Sequence, residues 1–177
     1  MARIVVGVTG GIAAFKTAAL VSELVQQDHQ VDVVMTKAAQ QFVGEATFTA
    51  LTGSPVATRT FDRAFPLGAH IELARTADLF CIAPATANFL AKTATGQADD
   101  LITTLYLCCT CPIVMAPAMN NEMWVKPAVQ RNVNQLREDG VIMVDPKEGW
   151  LSCRTKGVGR MADPSEIRNA VEQHLKG

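Results

Sequence analysis

The sequence predicts an α/β fold built on a single doubly wound parallel sheet. Apolar segments rich in β-branched residues alternate with helix-like segments along the 177-residue chain. Residues 3–9 are almost continuously apolar, which is typical of a strand buried on both faces of a parallel sheet. A chain of this length is expected to form one domain, residues 1–177, with a large core. The expected architecture is a Rossmann-like or flavodoxin-like three-layer sandwich.

The order of the elements follows from the hydrophobic pattern. Five strands are predicted, at residues 3–9, 31–35, 79–83, 112–116 and 141–144. Helices are predicted at residues 12–27, 38–52 in one or two pieces, 71–76, 86–95, 100–109 and 125–138, and from Pro164 onward with Asp163 as N-cap. Residues 54–69 are predicted to form a loop. The Gly-rich residues 147–161 are predicted to form a mobile lid.

Composition excludes several classes of function. The formal net charge is −1, so neither nucleic acid nor an anionic membrane is an expected partner. No apolar run is long enough for a membrane span, and no signal peptide is expected. Five cysteines, an odd number without a regular framework, suit the reducing cytoplasm. Cys108, Cys109 and Cys111 lack paired metal-ligand spacing, so we predict no metal site and expect these thiols, with Cys81, in the core.

The turn after the first strand has the features of an anion site. Thr9-Gly10-Gly11-Ile12 joins a buried strand to a helix start, where free N–H groups and the helix dipole favour a phosphate. The G-x-G-x-x-G pattern and the acidic residue of a dinucleotide site are missing, and the second strand ends in Thr36-Lys37. No Gly-Lys-Ser/Thr follows, which excludes a P-loop. The turn therefore favours a mononucleotide such as FMN over NAD, and a tight turn without a ligand stays open as an alternative.

Two further strand ends predict a slot for a flat ring. The third strand runs into Ala83-Pro84-Ala85-Thr86-Ala87-Asn88-Phe89, and the fourth into the octet Pro117-Ala118-Met119-Asn120-Asn121-Glu122-Met123-Trp124. Ligands of open α/β sheets bind at the carboxyl ends of the strands, where a stiff turn can hold an amide against a ligand. The alternatives are that Thr86 only caps a helix and that the octet is a Pro-rich connection whose large side chains pack.

Two reactive side chains need separate consideration. His70 lies at the start of a short helix, and a lone histidine is more often structural than catalytic. Cys153 lies in a polar Gly-rich stretch next to Arg154 and a lysine, which favour a thiolate; an incidental surface thiol is the alternative. The other two histidines, His29 and His174, are predicted to be exposed and without a function.

Together these motifs reveal a resemblance that covers nearly the whole chain. The sequence resembles the homo-oligomeric flavin-containing cysteine decarboxylases in the first turn, in His70-Ile71-Glu72-Leu73, at the third strand end, in the octet and in the stretch from Cys153 to Met161. The octet, as P-x-M-N-x-x-M-W, is the most specific of these motifs. Two stretches depart from the family pattern: Ser152-Cys153-Arg154 stands where Ala-Cys-Gly is common, and Asn88-Phe89 where Asn-Thr is common.

The resemblance implies an FMN-dependent carboxy-lyase of coenzyme A biosynthesis that converts 4'-phospho-N-pantothenoylcysteine into 4'-phosphopantetheine. The implied FMN contacts are Gly10, Gly11, Ile12, Thr36, Lys37, Ala38, Thr86, Ala87, Asn88, Phe89 and Ala118. The implied catalytic residues are His70, Asn120 and Cys153. The implied substrate contacts are Asn120, Met123, Cys153 and Arg160.

The implied chemistry explains the need for a flavin. Direct loss of CO₂ from the substrate cysteine would leave a carbanion without an electron sink, whereas oxidation of the C–S bond to a thioaldehyde lets the electrons end in an enethiolate. The resemblance implies His70 as the active-site base and Asn120 as the group that holds the substrate carboxylate or amide. Cys153 would then protonate the enethiolate while the reduced flavin returns the hydride, so that no net redox change remains.

The resemblance also implies a homotrimer or a dodecamer, with the flavin and His70 contributed by neighbouring subunits. Two alternatives stay open: a peptidyl-cysteine decarboxylase of the lantibiotic type, which stops at the enethiol, and a non-catalytic flavoprotein regulatory subunit. The lid with Cys153 argues against the first, and the three catalytic residues together argue against the second. The flavin prenyltransferases share the fold but lack the octet and this histidine. Whether the chain is one part of a bifunctional synthetase–decarboxylase is left open by the sequence.

Overall fold

A five-stranded parallel sheet forms the centre of the computed structural model, which describes residues 1–62 and 64–175. The strands are β1 (Arg3–Val8), β2 (Gln30–Met35), β3 (Leu79–Ala85), β4 (Ile113–Pro117) and β5 (Ile142–Met143). They lie in the order β2-β1-β3-β4-β5, and every neighbouring pair is parallel. Because this order reverses between β1 and β3, a crevice forms at the carboxyl ends of these two strands.

Helices cover both faces of the sheet. One face carries α1 (Ala14–Gln26), α2 (Glu45–Thr52) and α8 (Pro164–Leu175), and the other carries α3 (Ala69–Thr76), α4 (Ala87–Ala94), α5 (Leu101–Cys108) and α7 (Pro127–Glu138). In β1, Val6 packs into the first layer and Val5 into the second, and both are fully buried. The predicted three-layer α/β sandwich is therefore confirmed. None of the helices described for residues 1–62 and 64–175 has both the length and the apolar character needed to cross a bilayer.

The segments around the octet and the lid contain more regular structure than the sequence predicts. A short helix, α6 (Asn121–Trp124), forms inside the octet, and a 3-10 turn covers Ala39–Gln41. Residues 147–161 contain an antiparallel hairpin of β6 (Lys147–Trp150) and β7 (Lys156–Arg160). Both strands are polar and Gly-rich, and β6 is largely exposed, so they lack the alternating apolar pattern by which strands are predicted. Conversely, β5 has two residues instead of the predicted four.

The predicted core position of the thiols is only partly correct. Cys81 is fully buried in β3, as predicted. Cys108 is exposed, and Cys109 and Cys111 are half-buried. The apolar run misleads here because α5 ends at Cys108, so the following residues form a connection to β4 and not a continued buried helix.

The predicted exposure of His29 is wrong. Its side chain is only 9% exposed, with Nε2 2.7 Å from the Glu172 carboxylate and Nδ1 accepting the N–H of Ala2 at 3.2 Å. His174 is half-buried, and its Nδ1 lies 2.8 Å from the carbonyl oxygen of Ala170. The polar neighbours of His29 in sequence do not reveal that α8 packs against this part of the chain.

Candidate functional site

A cavity of about 1040 Å³ lies at the carboxyl ends of β1, β3 and β4. Its wall is formed by the turns that follow β1, β2, β3 and β4, together with the hairpin β6–β7. This is the place where the strand order reverses and where ligands of such sheets bind. Ligand pockets usually measure about 300–1,000 Å³, so the cavity lies at the upper end of the range for ligand pockets.

The turns after β1 and β2 touch each other at Gly10 and Ala38. A Cβ on Gly10 would overlap the Cβ of Ala38, so only glycine allows this approach. The N–H groups of Gly10, Ile12 and Lys37 donate no hydrogen bond to another residue of the described ranges. The Lys37 side chain is exposed. These two turns therefore bring unpaired donors and a cation to one part of the cavity wall.

Buried hydroxyl groups fix the end of β3. The Thr9 hydroxyl donates to the carbonyl oxygen of Pro84 at 2.6 Å and accepts the N–H of Thr86 at 3.1 Å. Thr17, from α1, donates to the carbonyl oxygen of Ala83 at 2.7 Å. Thr86 caps α4, as predicted. These bonds hold β3 in the irregular register that it adopts beside β4 before it enters the cavity wall.

Asn120 and Cys153 meet at the cavity wall. Asn120 Nδ2 donates to Cys153 Sγ at 3.2 Å, while its Oδ1 accepts the N–H of Glu122 at 2.8 Å and so fixes the orientation of the amide. Cys153 Sγ also lies 3.0 Å from the hydroxyl of Thr155. The hydrogen bonds from Thr155 and, to a lesser extent, from Asn120 lower the pKa of the Cys153 thiol below its usual range. An exposed thiol of lowered pKa is chemically reactive.

The hairpin that carries Cys153 rests on the octet. The N–H of Met119 donates to the carbonyl oxygen of Gly159 at 3.0 Å, and a Cβ on Gly159 would overlap the carbonyl oxygen of Met119. In the turn of the hairpin, Arg154 has a φ of 64°, in the left-handed region that favours glycine. The turn thus keeps a glycine-like backbone at the position where the resembling family commonly has Gly.

Lys16 and Arg160 share one carboxylate at another part of the wall. Lys16 Nζ and Arg160 Nη1 lie 3.2 Å and 3.3 Å from Asp163 Oδ1. Asp163 directly precedes α8, and its carbonyl oxygen accepts the N–H of Ile167, so it lies at the helix start as predicted. Its carboxylate, however, pairs with the two cations. The hydrogen bond from Lys16 and the nearby charge of Arg160 lower the pKa of Asp163 below its usual range.

The structure brings all but one of the predicted site residues to this cavity. Its lining includes Gly10, Gly11, Ile12, Thr36, Lys37, Ala38, Thr86, Ala87, Asn88, Phe89, Ala118, Asn120, Met123, Cys153 and Arg160. His70 is absent from the lining formed by the described residues. It lies on α3, and its Nδ1 is buried without a hydrogen-bond partner in that part of the chain.

Sequence reasoning missed Lys16 as a residue of the cavity wall. Lys16 lies on α1, five residues after Gly11 in a helix that begins at the predicted anion site. A cation on the helix that follows a glycine turn is a signal that could have identified it. Its partner Asp163 could not be identified in this way, because 147 residues separate the two.

The chain is similar to known proteins along nearly its whole length. The model of the Flavoprotein family matches residues 1–176. The chain is 45% identical, over 98% of its length, to the coenzyme A biosynthesis bifunctional protein CoaBC of Mycobacterium tuberculosis. It is 46% identical, over 95% of its length, to the CoaBC protein of Bacillus subtilis. The chain spans 41% and 42% of these two relatives, about two fifths of their length.

Two solved structures share the fold over nearly the whole chain. The FMN-dependent cysteine decarboxylase SpaF has a TM-score of 0.88 and 39% identity, with 99% of this chain and 96% of SpaF covered. A PPC decarboxylase variant complexed with pantothenoylaminoethenethiol has a TM-score of 0.88 and 30% identity, with 99% of both chains covered. With such coverage, the similarity includes the turns and the hairpin that line the cavity.

Proposed function

The chain belongs to the flavoprotein family, and on this premise we propose that it binds FMN and decarboxylates 4'-phospho-N-pantothenoylcysteine to 4'-phosphopantetheine. This is a carboxy-lyase reaction of coenzyme A biosynthesis. The similarity to CoaBC proteins and to a PPC decarboxylase supports the choice of substrate. The observation that carries the proposal is the 3.2 Å contact between Asn120 and Cys153 at the wall of the cavity.

The cavity wall fits FMN. Gly10 and Gly11 leave the backbone accessible, and the unpaired N–H groups of this turn, with Lys37, suit a phosphate group. The small residues after β3 leave room for a flat ring. The residues proposed to hold FMN are Gly10, Gly11, Ile12, Thr36, Lys37, Ala38, Thr86, Ala87, Asn88, Phe89 and Ala118. Bound FMN supplies a reversible hydride acceptor, which permits decarboxylation without net redox change.

Asn120 and Cys153 have complementary roles in this proposal. The amide of Asn120, held in place by the N–H of Glu122, donates to the carboxylate or amide of the substrate. Cys153 is the proton donor to the enethiolate. The lowered pKa of the Cys153 thiol lies closer to neutral pH than that of an ordinary cysteine. A general acid is most effective when its pKa is close to the working pH. Met123 and Arg160 complete the substrate contacts.

His70 is proposed as the active-site base, acting in the cavity of a neighbouring subunit. Within one chain His70 lies outside the cavity lining, so it reaches a substrate only if another copy brings the two together. Close to it in sequence, the apolar side chains of Leu67 and Ile71 are 62% and 39% exposed, so a partner that packs against this segment would cover them. A homotrimer or a dodecamer with sites at the subunit interfaces meets this requirement. The cytoplasmic location stays a prediction.

The alternative functions have less support. The relatives at 45% and 46% identity are CoaBC proteins, whose name refers to coenzyme A biosynthesis and agrees with the proposed substrate. A reaction that stops at the enethiol has no need of a proton donor such as Cys153. A purely regulatory flavoprotein would need neither this thiol nor the amide that contacts it.

Flavin content and CO₂ release test the proposal. The purified protein should be yellow, release FMN on denaturation, and form CO₂ and 4'-phosphopantetheine in equal amounts from phosphopantothenoylcysteine. A peptide with a carboxyl-terminal cysteine is the control substrate. A folded, colourless protein that does not bind added FMN would contradict the cofactor. Release of CO₂ from the peptide alone would identify the peptidyl-cysteine alternative as correct.

A further inference from the structure

The cavity wall is more positive than the chain as a whole. The charged side chains in its lining are Lys16, Lys37, Lys92, Arg160, Asp100 and Glu148. The chain has a formal net charge of −1. Lys92 lies 2.8 Å from Asp99 and 3.5 Å from Asp100, so its charge is balanced locally. Glu148 lies 3.5 Å from Lys156, which is outside the lining formed by the described residues, so this carboxylate is also balanced. The remaining three cations make the wall suitable for anionic ligands.

These three cations belong to two groups, Lys37 alone and Lys16 together with Arg160. Lys37 follows β2, beside the turn that contains Gly10, where the proposed FMN phosphate binds. Lys16 lies on α1 and Arg160 ends β7, and the two are joined through Asp163. A cavity wall with two groups of cationic side chains suits two phosphate groups. FMN and phosphopantothenoylcysteine together carry two.

Asp163 holds Lys16 and Arg160 together without neutralising both. It lies outside the lining formed by the described residues, so two cations against one carboxylate leave an uncompensated positive charge at the wall. Arg160 Nε is buried and has no hydrogen-bond partner in the described part of the chain. A Cβ on Gly149 would come within 2.8 Å of this nitrogen, so glycine lets the guanidinium lie against β6.

We propose that Lys16 and Arg160 bind the terminal phosphate of the substrate, and that Asp163 is the residue that positions them. The inference rests on the proposed function, because that substrate carries a phosphate at the end opposite to its thiol. Ammonium and guanidinium groups recognise phosphate through short, charge-assisted hydrogen bonds.

The dimensions of the hairpin agree with this assignment. An extended phosphopantothenoylcysteine measures about 15 Å from sulfur to phosphorus, by ordinary bond lengths. The partner of Arg160 across the hairpin is Lys147, the first residue of β6, and Cys153 follows three residues after the end of this strand. The three residue steps of β6 span about 10 Å, and the turn adds to this length. Arg160, at the base of the hairpin, and Cys153, in its turn, can therefore contact the phosphate end and the thiol end of one substrate molecule.

Substrates with and without the phosphate test the inference in the FMN-loaded enzyme. The Lys16→Met variant removes the charge and keeps an apolar stem. It should lower kcat/KM for phosphopantothenoylcysteine by about 10- to 100-fold, as expected for one charge-assisted hydrogen bond, and leave kcat/KM for N-pantothenoylcysteine nearly unchanged. The matched control is Lys147→Met, which removes a cation at the same hairpin base but outside the cavity lining. This control should preserve the preference for the phosphorylated substrate.

Two outcomes would overturn the inference. An equal loss of kcat/KM on both substrates in Lys16→Met would mean that Lys16 does not recognise the phosphate. Loss of bound FMN in Lys16→Met, with an unchanged preference for the phosphorylated substrate, would assign the cation to the flavin phosphate.

Calorimetric titration separates this inference from the proposed function. The wild-type protein should bind 4'-phosphopantothenate more tightly than pantothenate, and Lys16→Met should remove this difference. Equal binding of the two compounds by the wild type would overturn the phosphate site even if the decarboxylation is observed. Conversely, if neither substrate loses CO₂, the proposed function fails, and a binding preference that Lys16→Met removes would still support the phosphate site.

Discussion

The hydroxyl of Thr9, at the end of β1, donates a 2.6 Å hydrogen bond to the carbonyl oxygen of Pro84 in β3. The same hydroxyl accepts the N–H of Thr86, so it joins two neighbouring strand ends at the cavity. Thr9 is 2% exposed, and Thr9→Val would leave a buried acceptor and a partly buried donor unpaired. We expect the free energy of unfolding to fall by about 1–3 kcal/mol and the affinity for FMN to fall by about tenfold. Urea unfolding and flavin fluorescence titration measure the two effects; Thr9→Ser, which keeps the hydroxyl, should retain most of the affinity.

Gly10→Ala tests the close approach of the two turns. The new Cβ would overlap that of Ala38, so the turns should separate and FMN content should fall sharply, with a loss of stability of about 1–3 kcal/mol. The control is Gly44→Ala, since a Cβ on Gly44 would meet no atom within 4 Å and its φ of −76° suits alanine. The double variant Gly10→Ala/Ala38→Gly removes the overlapping Cβ but keeps backbone atoms of residue 38 at 3.0 Å and 3.2 Å from the new Cβ, so it should regain part of the flavin. A double variant that binds no more FMN than Gly10→Ala would show that the overlap of the two Cβ atoms is not the cause.

Cys153→Ser separates decarboxylation from the final protonation. A serine hydroxyl is a much weaker acid than the thiol. The variant should therefore still release CO₂, but its rate of 4'-phosphopantetheine formation should fall by about 100-fold. The oxidised enethiol should accumulate, which mass spectrometry detects as a product two hydrogens lighter. Formation of the saturated product at the wild-type rate would show that Cys153 is not the proton donor.

The pH dependence of the Cys153 thiol tests its hydrogen-bond partners. The hydrogen bond from the Thr155 hydroxyl favours the thiolate and lowers the pKa of Cys153, and the amide of Asn120 adds to this effect. In Thr155→Val the pKa should therefore rise toward the ordinary cysteine value. The pH at which iodoacetamide alkylation reaches half its maximal rate should increase accordingly, whereas Thr155→Ser should leave it close to that of the wild type. A decrease in Thr155→Val would contradict the assigned cause.

Arg154 should be replaceable by glycine with a gain in stability. Its φ of 64° is unfavourable for a residue with a Cβ, by roughly 1–2 kcal/mol, although glycine loses part of this advantage through its more flexible unfolded chain. Arg154→Gly should raise the free energy of unfolding by up to about 1 kcal/mol. Arg154→Val, with a β-branched side chain, should lower it. Urea unfolding of the three proteins should give the order Gly, Arg, Val, and the reverse order would exclude a left-handed residue in this turn.

The sequence predicts the sheet well because burial on both faces leaves a strong signal. In β1, four of the six residues are Val or Ile, and the turns after such strands carry the glycines, hydroxyls and amides that line the cavity. The hairpin was not predicted, because Lys147–Trp150 and Lys156–Arg160 are polar and held by backbone pairing and by contact with the octet.

The contacts within the site could not be read from the sequence. The octet identifies Asn120 and the Gly-rich stretch identifies Cys153. These two residues are 33 positions apart in the sequence, and only the folded hairpin brings them into contact. For the same reason Asp163 was expected to be a helix cap, and its pairing with Lys16 was not expected. His70 remains a prediction, because within one chain it lies outside the cavity lining formed by the described residues.

The two ends of the Asn120 side chain serve different purposes, and this limits what evolution can place there. The oxygen completes the first turn of α6, whereas the nitrogen faces the sulfur of Cys153. Aspartate would preserve the cap but offer the sulfur no proton, and it would set a negative charge against a thiolate. Leucine would match the volume and satisfy neither side. One amide thus supports both the helix start and the reactive thiol, so a substitution of Asn120 would weaken both together.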